Sequence, residues 1–332
     1  MTDAWPSIGV VFITHGARRH LPFCLPPVLN SPLKPRVLVV NSSSNDGTVE
    51  LAQEMGAETL VVPRREFNHG ATRELARRHL GTAIVVMMTP DAYAVSSDFL
   101  EALVRPLAEG LATVSYARQL PHEGADFFAA FAREFNYPAR SELRGREDVL
   151  RRGSFTVFCS NACAAWLNAG LDEIGGFPTV LTAEDTAAAS RLIATGHRIA
   201  YVAEAVVRHS HGYPLREEFR RYFDTGYARQ AMGPDALFGQ SDERHGRRFA
   251  TALLARLARE RPWAIPYAMA NMAAKYLGYR VGRLGPRLPL ALSQRMSGQD
   301  YFWTSPHVGA AARLRPSVGR FGVASSHRQE PR

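Results

Sequence analysis

Short apolar runs punctuate the N-terminal part of the chain at Ile8 to Thr14, Arg36 to Asn41, Thr59 to Pro63 and Thr82 to Thr89. Their length and β-branched content predict strands, with helix-compatible segments between the first three and at Thr72 to His79. Alternation on this scale predicts an α/β domain built on a mainly parallel sheet. A second α/β portion runs from about Leu111 to Gly212, with a helix start at Glu184-Asp185 and a strand-like run from Ile199 to Val207. Further on, Phe249, Leu253, Leu254 and Leu257 recur at helical spacing beside Arg247, Arg248, Arg256 and Arg259, which predicts an amphipathic basic helix. The apolar stretch Trp263 to Leu284 is broken by Pro266, Lys275 and Arg280, and after about Ser305 the composition predicts a flexible tail.

Charge sharpens this division. The net charge of +9 over 332 residues is unevenly placed: residues 241–332 hold 16 Lys and Arg against 5 Asp and Glu, or +11, leaving the first 240 residues at 24 against 26, or −2. Basicity therefore belongs to the C-terminal third. Three cysteines, Cys24, Cys159 and Cys163, form no CxxC pair and leave an odd number, which argues against a disulfide framework and a structural zinc site and suits a reducing compartment. Cys159 and Cys163 have the spacing of one helical face, where buried packing is expected of them. The N-terminus lacks the pattern of a secretory signal, and no stretch reaches 18 uncharged apolar residues.

In parallel sheets ligands bind beyond the carboxyl ends of the strands. That rule points to Thr14-His15-Gly16, to the polar loop Asn41 to Thr48, to Phe67-Asn-His-Gly70 and to Thr89-Pro-Asp91-Ala92. Asn41, Ser42 and Ser43 suit a nucleotide base or ribose, and equally the capping of a helix near Thr48. Gly70, Thr72 and Arg73 at a helix start can meet a phosphate, or form a turn with a solvated arginine. Asp91 just past a buried strand can hold a divalent cation or form a turn. Asp185 can act as a general base, while Thr182 with Asp185 also fits a capping box. His209 and His211 follow a strand and can hold a cation. Neither a GxxxxGK[ST] loop nor a GxGxxG fingerprint is present, which weakens the usual phosphate-loop and dinucleotide readings.

The order of these segments resembles family 2 glycosyltransferases of the GT-A fold. FNHGATR at 67–73, TPDA at 89–92, Ser160-Asn161-Ala162, Ile174-Gly-Gly-Phe-Pro178, Glu184-Asp185 and His209-Ser-His211 are most similar to the motifs of bacterial rhamnosyltransferases. Arg221-Tyr-Phe-Asp-Thr-Gly226 and Lys275-Tyr-Leu-Gly-Tyr-Arg-Val-Gly282 extend the resemblance, which covers roughly residues 7–305. It implies a metal-dependent, inverting transfer from a nucleotide-sugar donor, with L-rhamnose from dTDP-L-rhamnose expected and a UDP-hexose as the alternative donor. Asp185, with Glu184 beside it, matches the catalytic base position. Asp91 matches a metal-binding carboxylate for Mg²⁺ or Mn²⁺, with His209 or His211 as a further ligand. Asn68, Gly70 and Arg73 match the segment lining the donor site, Asn41 to Ser43 match its base-binding loop, and Thr14 and Arg221 complete the expected donor contacts. Two departures stand out: Asn41 replaces an aspartate common in the family, and Pro90 stands where a second acidic residue is common.

The expected organisation is a GT-A catalytic domain over 1–240, with a nucleotide-sugar half to about 110 and an acceptor half beyond it. A basic helical region over 241–304 and a tail over 305–332 follow. Basic residues beside an apolar helical face imply attachment to an anionic membrane from the cytoplasmic side and a lipid-linked glycan acceptor. Nucleic acid is not expected as a partner, since the charge lies outside the α/β domain and no binding motif accompanies it. The alternative from another class is a silent glycan-binding or scaffolding subunit of a polysaccharide assembly complex.

Overall fold

The computed structural model describes residues 5–232 and 241–308, apart from a few side chains. Its centre is a sheet of nine strands: β1 (Ile8–Thr14), β2 (Arg36–Asn41), β3 (Glu58–Val61), β4 (Ile84–Met88), β5 (Tyr93–Ala94), β6 (Val114–Leu120), β7 (Glu142–Arg144), β8 (Cys163–Leu167) and β9 (Ile199–Arg208). The order is β3-β2-β1-β4-β8-β6-β9-β5, with β7 pairing β9. β1 to β4 are mutually parallel where they pair, and β8 runs opposite to both its neighbours. One sheet thus spans both the nucleotide-side and the acceptor-side portions anticipated from the chain.

The helices of seven residues or more are α1 (Thr48–Glu54), α2 (His69–Leu80), α3 (Phe99–Ala108), α4 (Phe127–Asn136), α5 (Glu184–Ala194), α6 (Leu215–Ala231), α7 (Ser241–Glu260), α8 (Ile265–Gly282) and α9 (Leu290–Met296). β1 is buried along its whole length, with Val10 and Phe12 in the core on one face and Val11 and Ile13 in the core on the other. Such two-sided burial explains why the run reads as continuously apolar rather than alternating. The helix anticipated at Thr72 begins three residues earlier, because the Asn68 side chain caps it by accepting from the Ala71 amide.

Several expectations are corrected. Thr182 is not a cap: the residue before α5 is Ala183, in the left-handed region at φ 63°, and no side chain caps it. Cys163 opens β8 and Cys159 lies in the preceding loop, so they share no helix; both are buried free thiols, as is Cys24. The polar loop does not cap α1 through its N-cap residue, which is Gly47; instead Asp46 accepts from the Thr48 amide and hydroxyl.

The basic helix exists as α7, but its apolar stripe is covered. Leu253 and Leu257 are buried with Phe131 of α4 and Ala268 of α8. The interrupted stretch after Trp263 is the continuous helix α8, with Pro266 in its first turn, where a missing N–H costs nothing. α8 crosses α6 closely: a Cβ on Gly226 would run into the Tyr279 carbonyl, on Gly278 into that of Phe219, and on Gly282 into that of Phe223. The two late motifs of the sequence are therefore the halves of one glycine-notched helix crossing. Among the described residues no helix is long and apolar enough to cross a membrane. Of the anticipated tail, residues 309–332 lie outside the described residues.

Candidate active site

β4, β6 and β9 point the same way because antiparallel β8 intervenes between β4 and β6. The loops after Met88 and Arg208 consequently leave the sheet at one edge, and the short pairing of Tyr93 with Arg208 draws them together. Asp91 Oδ2 lies 3.0 Å from His211 Nε2 and 3.6 Å from His209 Nε2. The two Nε2 atoms are 3.0 Å apart. Separations near 3 Å are those of adjacent ligands around a cation with bonds of about 2.1 Å. Gln119 Oε1, 2.9 Å from His209 Nδ1, accepts that ring's proton and leaves Nε2 as the electron-pair donor.

Protonation favours the same arrangement. Burial pushes Asp91 upward, but the two imidazoles beside it outweigh burial and hold the carboxyl well below its usual range. Burial lowers His209 to about 4, against the opposing pull of Asp91, so the ring is neutral near pH 7. An ionised carboxylate and neutral imidazole are the forms that bind metals. The donor set and its spacing fit a divalent cation.

The second centre lies at the start of α5. Glu184 is buried and paired with Arg73, Nη1 to Oε1 2.6 Å, and accepts from Asn161 Nδ2 at 3.1 Å. Burial opposes its charge, yet Arg73 in first place and His69 after it keep its pKa lowered. Asp185 turns the other way and is half-buried. Its Oδ2 accepts from the Asn161 amide at 3.0 Å and its Oδ1 from the Thr186 amide at 2.6 Å. Burial, then the neighbouring Glu184 charge, raise its pKa to about 6. The left-handed Ala183 makes a sharp entry into α5.

Ser160-Asn161 joins the two centres. The Ser160 hydroxyl accepts from Gln119 Nε2 at 2.9 Å, on the residue that orients His209, while the next amide holds Asp185. Residues far apart in the chain therefore share one polar network.

The other anticipated residues are distributed as follows. Asn68 Nδ2 donates to the Val180 carbonyl at 2.8 Å, and Gly70 lies so close to the Pro178 carbonyl that no Cβ fits. These contacts clasp the Gly175-Gly176-Phe177-Pro178 loop that leads into α5. Arg73 is buried against Glu184 rather than held at an open helix start. At the ends of β1 and β2, Thr14 Oγ1 donates to the Val40 carbonyl, Ser43 Oγ to Val62, and Asn41 exchanges hydrogen bonds with Ser44. Ser42 Oγ meets His15 Nδ1 at 3.1 Å and Arg64 Nη1 at 3.2 Å. Arg221 stacks over Tyr213, 4.0 Å from guanidinium to ring, and Tyr213 in turn packs 5.2 Å from His211. His15 lies in the Thr14-His15-Gly16 segment to which the strand-end rule pointed, whereas Gln119, Arg64 and Tyr301 were not anticipated. Tyr301 reaches back over more than half the chain to hydrogen-bond His69 at 2.9 Å, and only Gln119, at the end of a strand of the parallel set, carried a positional signal.

Residues 9–228 match the family described as "Glycosyltransferase like family 2". The chain belongs to that family. It is 34% identical over 315 residues to the O-antigen chain rhamnosyltransferase RfbN of Salmonella typhimurium strain LT2, covering 93% of this chain and 100% of the relative. It is also 34% identical over 284 residues to the O-antigen chain rhamnosyltransferase WbaN of Salmonella anatum, covering 84% and 90%. Among solved structures, the mannosyltransferase PcManGT of Pyrobaculum calidifontis, in complex with GDP-Man and Mn²⁺, aligns with TM-score 0.51 at 21% identity over 93% of this chain and 87% of that one. Residues 1–349 of S. aureus TarS align with the same score at 14% identity, covering 90% and 89%. These likenesses place the glycosyltransferase in the GT-A type of α/β fold.

Proposed function

We propose that this glycosyltransferase moves L-rhamnose from dTDP-L-rhamnose to a hydroxyl of a lipid-linked bacterial glycan, with inversion at the anomeric carbon. The observation that carries the mechanism is the division of labour between Glu184 and Asp185. Glu184 is locked by Arg73 and Asn161, whereas Asp185 is half-buried, hydrogen-bonded on both oxygens and more basic than an ordinary carboxylate. One available carboxylate suits a single displacement, in which Asp185 removes the acceptor proton as that oxygen attacks the sugar.

Asp91, His209 and His211 are the residues that would hold the cation, and two imidazoles favour Mn²⁺ over the oxygen-seeking Mg²⁺. When bound, it would offset charge on the departing nucleoside diphosphate. Arg221, placed beside His211 by Tyr213, adds positive charge at that side. A cleft of about 530 Å³ lies beyond the ends of β1 and β2, with Gly16, Arg18 and Asp46 in its wall. It suits the donor nucleotide. The names of the two Salmonella relatives support rhamnose and an O-antigen chain as acceptor. A lipid-borne acceptor would bring the enzyme to the inner face of the cell membrane.

A panel of nucleotide sugars, read by thermal shift with and without Mn²⁺ and then by product formation, tests the reading. Selective stabilisation and turnover with dTDP-rhamnose are expected, and both should weaken when Asp91→Asn or His209→Ala removes a ligand. Selective turnover of a UDP-hexose would overturn the donor assignment.

A further inference from the structure

The amphipathic helix that the sequence advertises, α7, has its apolar side covered by α4 and α8, but α8 has the opposite arrangement. Gly278 and Gly282 face α6 and, like Asn271, are buried, while the other side of α8 is left open. Met269 is 52% exposed, Tyr276 57% and Leu277 55%, and Trp263 just before the helix is 77% exposed. At 3.6 residues per turn, Met269, Tyr276, Leu277, Arg280, Arg283 and Leu284 fall within an arc of about 120°. The stripe is therefore one continuous face rather than scattered apolar residues, which marks an interaction surface.

Charge identifies the occupant. From Arg261 to Gln299 there are six basic residues, Arg261, Lys275, Arg280, Arg283, Arg287 and Arg295, and no acidic one; Lys275 is paired with Glu218 of α6 at 3.1 Å, so the arginines carry the charge. Arg280 lies 5.8 Å over the Tyr276 ring, so its charge rises from the apolar face instead of interrupting it. A two-fold dimer through this face would set like charges against each other without a counter-charge. The last residues, 309–332, are no better suited, with five arginines and one glutamate. A surface that is apolar within and anionic outside answers both properties, and an anionic bilayer is such a surface.

We propose that the outer face of α8 docks the enzyme on an anionic lipid bilayer, with Trp263, Met269 and Leu277 inserted at the interface and Arg280 and Arg283 meeting lipid phosphates. The proposal deepens the lipid-linked acceptor reading above and rests on it for the purpose of docking. The physical case is independent of donor or sugar.

Flotation of the full-length protein with phosphatidylcholine vesicles, and with the same vesicles containing phosphatidylglycerol, tests it. Binding is expected only to the anionic vesicles and should fall with salt. Arg280→Gln with Arg283→Gln should weaken it about fivefold per charge removed. Combined Trp263→Ser, Met269→Ser and Leu277→Ser should weaken it about tenfold or more. All five positions are exposed, and unchanged melting with unchanged transfer to a soluble acceptor would verify folding. Equal flotation of wild type and variants, or binding indifferent to lipid charge, overturns the proposal. So does a concentration-dependent dimer abolished by the triple substitution, which would give the face to a second copy. Intact flotation by a protein that transfers no sugar from any donor would instead defeat the proposed function and uphold the docking face.

Discussion

Two adjacent carboxylates in α5 differ because their partners differ. Glu184 meets a guanidinium and an amide, whereas Asp185 meets two backbone N–H groups and the field of Glu184. Asp185→Asn should therefore lower turnover about 10² to 10⁴-fold, the usual contribution of a general base, with donor affinity by calorimetry nearly unchanged. Near-normal turnover in a folded variant would remove Asp185 from the mechanism. Because the proposed base must be ionised and the Asp185 pKa is raised to about 6, kcat/KM should decline on the acid side of about pH 6 rather than near pH 4. Glu184→Gln removes the neighbouring negative charge, which lowers the Asp185 pKa and moves that limb to lower pH; an unmoved limb would assign it to another group. Arg73 shows what the residue scale conceals in a sequence. A guanidinium in the first turn of a helix suggests phosphate binding, yet its burial against Glu184 makes it the partner of a buried charge, and Arg73→Met should destabilise the fold by about 3–5 kcal/mol in denaturant titration.

At the scale of elements, the α6–α8 crossing depends on the absence of three side chains. Gly278→Val would drive a branched Cβ into the Phe219 carbonyl, and overpacking of this kind costs about 1–3 kcal/mol. α6 also holds the segment after α9: Asp224 Oδ2 accepts from the Gly298 amide at 2.9 Å, while Oδ1 has no hydrogen-bond partner among the described residues. Burial raises this carboxyl to about 7. With the folded pKa above the unfolded value, the stabilisation present at low pH is lost as pH rises through about 7. Asp224→Asn keeps an acceptor for Gly298 without the charge, so its stability should lack that decline and exceed wild type at alkaline pH by about 1–3 kcal/mol. Parallel pH-stability curves would refute the role. Neither feature could be read from spacing, since the glycines and the aspartate acquire meaning only from segments that meet them about fifty or more residues away along the chain.

Over the whole molecule, the sheet decides which residues meet. Periodicity located β1, β2 and β4 closely, because a central strand buried on both faces leaves an uninterrupted apolar run. The parallel-sheet rule then led to Asp91, and strand ends likewise led to His209 and His211, whose convergence the tertiary structure displays. What periodicity could not tell was which surface covers an apolar stripe. α7 has the stronger helical pattern, yet its stripe is buried on Phe131, and the open face belongs to the less regular α8. Deleting the chain after Gln240 should accordingly expose Phe131 and strip α6 of its partner, giving a product that binds hydrophobic dye and melts without a sharp transition; cooperative melting would mean the N-terminal part folds alone. The linear chain determined the α/β class and most strand positions, since these follow from local pattern and residue type. Tertiary structure decided that Arg73 neutralises Glu184, that Gln119 orients His209, that Ser160-Asn161 joins the two centres and that α8 keeps an open face. Those are through-space relations between segments up to more than a hundred residues apart, and such relations leave no trace in local spacing.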